Sequence, residues 1–220
     1  MNELMAHYLI ENMQKIHHYF PELAPKQIVS FNKMSDLYME WNKTINVIPR
    51  NEVESLYEKH VLHSLSIAKI IRFGPGSRIL DVGTGGGFPG IPLAVFFPKC
   101  SFVLIDPIGN RIKVVQSVAD ELKLKNVTVI RSKVEDFSEE FDFVASRAVT
   151  VFPAFVELVK KNISVKSRNT IANGIIYLKG GSFEEEIVNF QDLIKVYEIS
   201  NFFKEPYFET KKVIYLPIIK

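Results

Sequence analysis

At 220 residues and 47% hydrophobic content, the chain can close one domain around a sizeable core. A net charge of only +2 excludes a strongly basic, nucleic-acid-coating surface, so any RNA footprint must be a local patch. The single cysteine, Cys100, excludes an internal disulfide and fits a reducing, cytoplasmic setting, with a small apolar packing residue as its ordinary role.

Residues 1–73 contain no glycine. Helix-like apolar spacing covers 3–20, 26–42 and 52–71, with Pro21, Pro25 and Pro49 between the segments. Residues 1–72 balance eight basic against eight acidic side chains and read as a helical extension packed on one side of a sheet. Phe73-Gly74-Pro75-Gly76 turns into residues 73–220, a Rossmann-like α/β core; the whole of 1–220 is expected to form one domain. The start, Met1 to His7, has no basic n-region, which speaks against a signal peptide. No apolar run reaches the ~18 residues that cross a bilayer. The five histidines lack metal-ligand spacing, so neither membrane nor metal is expected as a partner.

The richest stretch is Ile79-Leu80-Asp81-Val82-Gly83-Thr84-Gly85-Gly86-Gly87-Phe88-Pro89-Gly90, a buried strand, a glycine loop and a helix start. Such a loop turns tightly and lets a ligand approach the backbone. The dinucleotide fingerprint would place its third glycine at position 88, which is Phe88. An acid, Asp81, followed by Gly83, Gly85 and Gly87, resembles the first motif of S-adenosylmethionine (SAM) methyltransferases instead. That cofactor has no pyrophosphate to cradle, and needs close backbone contact at its methionine end and a carboxylate for its ribose. A ligand-free strand-to-helix turn is the alternative. Gly85 is expected where a Cβ would meet the backbone or the methionine end of SAM.

The strand at 101–106 ends in Asp106, 19 residues after Gly87, where a ribose diol is usually gripped. Capping of the helix that begins near Gly109 is the other role open to it. A third strand, 126–131, leads into Val134, Glu135 and Asp136, which either cover an adenine or form a charged surface loop. The fourth strand, 141–146, runs into Arg147, whose planar fork suits a SAM carboxylate or an RNA phosphate; pairing with Asp142 is the alternative. Helices at 151–161 and 183–192 and strands at 174–179, 193–199 and 211–219 complete the pattern. With only a short loop at 201–210, the last two strands form an antiparallel hairpin. Seven mostly parallel strands with an antiparallel last strand, preceded by N-terminal helices, are expected of a class I SAM-dependent methyltransferase.

The chain resembles the RsmG (GidB) family of bacterial 16S rRNA guanine-N7 methyltransferases. The residues that carry the resemblance are Trp41-Asn42 with Ile45-Asn46; His60 with Ser64-Leu65; 81–94, including Phe88-Pro89-Gly90-Ile91-Pro92; Gly109 with Arg111; Val134-Glu135; Ser146-Arg147-Ala148; and Leu178-Lys179-Gly180. It implies methyl transfer from SAM to guanine N7, with SAM contacts on Gly83, Phe88, Val134, Glu135 and Arg147. It also implies 16S rRNA as partner, within the small ribosomal subunit or an assembly intermediate. His63, Pro107 and Asn110 depart from the family pattern.

Guanine N7 carries an in-plane lone pair and no proton, so it attacks a sulfonium methyl without a general base. Alignment at ~3–3.5 Å is then the main catalytic requirement. No cysteine nucleophile, metal or histidine–acid dyad is called for, and none is evident in the sequence. Lys160, Lys161, Lys166 and Arg168, with Arg111, Lys113 and Arg147 nearer the loop, are the candidate RNA contacts, with a solvated face as the ordinary role of any one lysine. Phe88 reads chiefly as core, with base stacking as its functional alternative. Two other functions fit the same loop: a SAM methyltransferase acting on a small molecule or protein, with a closed apolar pocket and no basic rim, or a ribosome-assembly factor that binds SAM and RNA without turnover.

Overall fold

The computed structural model describes residues 13–147 and 149–218. A seven-stranded sheet has the order β3-β2-β1-β4-β5-β7-β6. Its strands are β1 (Arg78–Val82), β2 (Ser101–Asp106), β3 (Val127–Arg131), β4 (Phe143–Arg147), β5 (Gly174–Gly180), β6 (Lys195–Glu198) and β7 (Lys211–Pro217). The first five are parallel, and β7 runs antiparallel to both β5 and β6. This is the α/β order that the glycine loop and terminal hairpin led one to expect.

Alternation along the strands divides two packed faces. Ile79, Phe102, Leu104, Phe143, Ala145, Ile176 and Leu178 share a core with Phe31, Met34 and Tyr38 of α2 (Pro25–Asn42), with α3 (His63–Ile70), α4 (Gly90–Phe96) and α5 (Gly109–Glu121). Leu80, Val82, Val144, Ile175 and Tyr177 face Phe152, Phe155, Val156 and Val159 of α6 (Phe152–Val159). The N-terminal helices therefore bury their apolar stripes on the same face as α4 and α5.

Three expected elements differ. The first helix, α1, is described only over 13–19; residues 3–12, like Ala148 and residue 219, lie outside the described residues. Residues 52–71 do not form one helix. Pro49 precedes a 3₁₀ turn (Arg50–Ser55), a π-helical turn follows (Tyr57–Leu62), and only then does α3 begin. Such widened turns often sit at functional positions. Residues 183–192 shrink to α7 (Glu184–Ile187) and a 3₁₀ turn, because three consecutive glutamates leave little apolar surface to bury.

Candidate methyltransferase site

Parallel order places β1 beside both β2 and β4, so the carboxyl ends of these strands surround one crevice. The glycine loop leaves β1 there. Gly83, Gly85 and Gly87 have φ values of +66°, +58° and +96°, a region where side chains are strained. The expectation for Gly85 needs correction in its cause. A Cβ there would meet only the Gly83 carbonyl at 3.9 Å, so conformation, not crowding by protein, demands glycine. The resulting open face is what a ligand approaching the backbone requires. At Gly90 the demand is steric: a Cβ would lie 2.6 Å from Asp81 Oδ2 and 2.7 Å from Leu104 Cγ.

Asp81 is fully buried. Its Oδ2 accepts from Thr84 Oγ1 at 2.6 Å and from the Gly90 N–H at 2.8 Å. Its Oδ1 is buried without a hydrogen-bond partner. Burial pushes the carboxyl up to about 7, against the opposing pull of those two hydrogen bonds. An orphaned carboxylate oxygen beneath an open glycine loop fits a cationic, hydrogen-bond-donating group such as the methionine end of SAM.

Asp106 closes the other side. Its Oδ2 accepts from the Gly85 N–H at 3.1 Å and from Arg111 at 3.3 Å, while Oδ1 accepts from the Ile108 N–H at 2.9 Å. Two tasks thus meet in one carboxylate: it holds Ile108 at the start of α5, and it braces the loop. Val134 is buried beside Val82 and Ile105 below the loop, whereas Glu135 is exposed and its carbonyl accepts from Lys161 Nζ at 2.6 Å.

Arg147 ends β4, which Ser146 ties to β1 through a 2.8 Å hydrogen bond to the Val82 carbonyl. Pairing of Arg147 with Asp142 does not occur. Asp142 sits before β4 at the opposite, amino-terminal end of the strands, where it accepts from the Arg78 N–H at 2.8 Å and meets Arg168 at 3.4 Å. The Arg147 guanidinium instead donates to the Lys59 carbonyl at 3.3 Å and to His60 Nδ1 at 3.0 Å, and lies 5.5 Å from the Phe88 ring centre. Phe88 is 2% exposed and packs on Tyr38 and His60, so it is a core ring that supports Arg147. Tyr38 also donates to the Gly86 carbonyl at 2.6 Å, bringing α2 directly onto the loop.

A histidine–acid pair is present that sequence reasoning missed: His60 Nε2 lies 3.1 Å from Glu52 Oε2. Burial, reinforced by Arg147, lowers His60 to about 4. With both ring nitrogens engaged and so little basicity, this imidazole is not poised as a general base. A cleft of about 370 Å3 opens beside it, walled by Glu52, Lys59, His63, Arg147, Lys179 and Lys211, among others. Of the expected RNA contacts, only Arg147 lines this cleft. Arg168 donates to the Gly76 carbonyl at the amino-terminal end of the parallel strands, and Lys166 neighbours Asn173, which precedes β5 there. Helix α6 carries the chain away from the site, a reversal that sequence proximity hides.

A family model described as rRNA small subunit methyltransferase G (GidB) matches residues 27–212. The chain belongs to this family. It is accordingly a SAM-dependent methyltransferase of small-subunit ribosomal RNA. Among its relatives, the Ribosomal RNA small subunit methyltransferase G of Flavobacterium johnsoniae is 50% identical over 94% of this chain and 98% of its own length. The protein of the same name from Bacteroides thetaiotaomicron is 48% identical over 94% of this chain and 100% of its own. Solved structures share the GidB-family chain's fold at low identity. A SAM-dependent methyltransferase from Aquifex aeolicus superposes with TM-score 0.55 at 18% identity, over 77% of this chain and 98% of that one. Aeropyrum pernix fibrillarin, with natively bound SAM, gives 0.51 at 15% identity, over 70% and 73%. No helix among the described residues is long and apolar enough to cross a membrane.

Proposed function

We propose that this chain methylates N7 of a guanine in 16S rRNA, presented within the small ribosomal subunit or an assembly intermediate in the cytoplasm, and that residues 1–220 act as one methyltransferase domain. The carrying observation is the pairing of an open glycine loop with a basic-rimmed cleft across Arg147. SAM, when bound, supplies an electrophilic sulfonium methyl to the in-plane lone pair of N7.

The chain's own residues then bind and orient. Asp81 offers its free oxygen to the cationic methionine end. Gly83, Gly85 and Gly87 keep the backbone accessible, and Asp106 accepts from the ribose while holding Gly85. Val134 and Glu135 flank the adenine, the first by packing and the second by its carboxylate. Phe88 fixes the plane of Arg147, which orients the methionine carboxylate or a phosphate beside the target base. Nothing in this arrangement removes a proton, which suits a nucleophile that has none to lose. The half-buried cations that wall the cleft, Lys59, Arg147, Lys179 and Lys211, favour RNA over a small apolar substrate. Transfer of labelled methyl from SAM to total RNA and to ribosomal subunits, followed by nucleoside analysis, tests this reading. It predicts label in 7-methylguanosine of the small subunit; label in any other nucleoside overturns it.

A further inference from the structure

The carboxylate of Glu52 has no task in the methyl transfer proposed above, yet it is held in place with care. A guanidinium has only donors. The His60 nitrogen that faces Arg147, Nδ1, must therefore carry a lone pair, and the imidazole proton resides on Nε2, directed at Glu52. Arg147, His60 and Glu52 form a chain of donors pointing one way and ending on a carboxylate. Lys59 lies 3.4 Å from the other Glu52 oxygen.

An ionised carboxylate has about four acceptor positions, and two are occupied here. The Glu52 side chain is 28% exposed and lines the cleft beside Arg147. Among the described residues that line it, Glu52 is the only acid; the other charged groups are Lys59, Arg147, Lys179 and Lys211. An acid in a cleft meant only for phosphate would repel its ligand. His63, in the same wall, has a buried Nε2 without a hydrogen-bond partner.

Guanine is the base whose Watson–Crick edge presents two adjacent donors, N1–H and the exocyclic N2–H, to one carboxylate. Adenine presents an acceptor at N1, which a carboxylate repels. We infer that Glu52, oriented by Arg147 through His60, reads the N1–H and N2–H edge of the target guanine and sets base specificity. The base so held turns its opposite, N7 edge away from Glu52. Arg147 would then couple the two halves of the site, since the residue at the cofactor crevice also fixes the reader of the base. The inference rests on the guanine-N7 reading and names the residue that recognises its substrate.

Inosine lacks the exocyclic amine but keeps N7, O6 and N1–H, so it isolates one Glu52 contact. Small subunits reconstituted with guanosine or inosine at the methylated position are compared as substrates. The parent should prefer guanosine by roughly 10–100-fold in kcat/KM, the value of a charge-assisted hydrogen bond. Glu52→Ala should bring that ratio close to one while SAM affinity stays at the parent value, and Glu52→Gln, of nearly unchanged shape, keeps one acceptor and should give a ratio between those of Glu52→Ala and the parent. A merely structural glutamate would lower both rates and keep the ratio. An unchanged ratio in a folded variant, or a parent that accepts inosine as well as guanosine, overturns the assignment of Glu52. If the parent methylates no guanine N7 at all, the underlying reading falls first, and the guanosine control shows it.

Discussion

His60 Nδ1 accepts from Arg147 at 3.0 Å, joining the π-helical turn before α3 to the end of β4 across 87 residues of sequence. This contact fixes the guanidinium at the junction of the glycine loop and the cleft. Lysine would keep the charge but lose the fork that reaches His60 and the Lys59 carbonyl together. Arg147→Lys should lower methyl transfer at least ~10-fold, with a stability loss of about 1–2 kcal/mol from the missing hydrogen bonds. Single-turnover assays at saturating SAM and RNA, with thermal melting alongside, check both parts. Turnover near the parent value would remove Arg147 from the working site.

Asp106→Ala should weaken SAM binding by about 1.5–3 kcal/mol, or roughly 10–100-fold. Two losses combine: the ribose acceptor, and the bond that holds the Gly85 N–H. Asp106→Asn keeps one acceptor and should fall between. Calorimetric titration with SAM distinguishes the three proteins. Parent-like affinity in Asp106→Ala would leave that carboxylate as a brace for the loop and the start of α5.

Asp81 gives the molecule a pH signature. Its folded pKa, about 7, lies above the ~3.9 of an unfolded chain. Between the two values the folded state retains a proton that the unfolded state has released, so this contribution to stability is present below about pH 4 and lost as pH rises through about 7. His60 acts in the opposite sense. Its pKa, lowered to about 4, makes its contribution present above about pH 6.5 and lost as pH falls toward 4. Asp81→Asn, which never ionises, should therefore gain more stability relative to the parent at pH 7.5 than at pH 4.5. Urea midpoints at the two pH values measure the difference; an equal effect at both would show that Asp81 titrates normally.

Local features of the sequence carried much of this site. The glycine loop, Asp106 and the position of Arg147 were legible because each is set by a strand ending within a few residues. The relation of Arg147 to His60 and Glu52 was not, because it depends on how the N-terminal segment folds back over β4. The basic residues of the cleft were hidden for a similar reason. Lys166 and Arg168 follow α6 closely in sequence, but the helix delivers them to the amino-terminal end of the strands, while Lys59, Lys179 and Lys211 converge from three distant segments. The break of 52–71 into 3₁₀, π and α turns was hidden because all three present similar apolar spacing.

The rim itself is testable through salt. Among the described residues Lys211 has no carboxylate partner, which leaves it available to a phosphate. Lys211→Ala should weaken RNA binding and reduce the slope of log affinity against log salt by about 0.7–1, as for one lost phosphate contact. Lys166→Ala should leave both unchanged. Binding titrations from low to moderate salt separate the variants, and a reversed outcome would move the RNA footprint to the amino-terminal end of the strands.

The central claim is that the nucleophile is guanine N7. Replacing the target guanosine with 7-deazaguanosine in reconstituted small subunits exchanges that nitrogen for a C–H and preserves the Watson–Crick edge. Methyl incorporation from SAM should be complete with guanosine and absent with the deaza analogue, although the analogue still competes for binding. Methylation of the 7-deazaguanosine subunit at a rate comparable to the guanosine one would contradict the account.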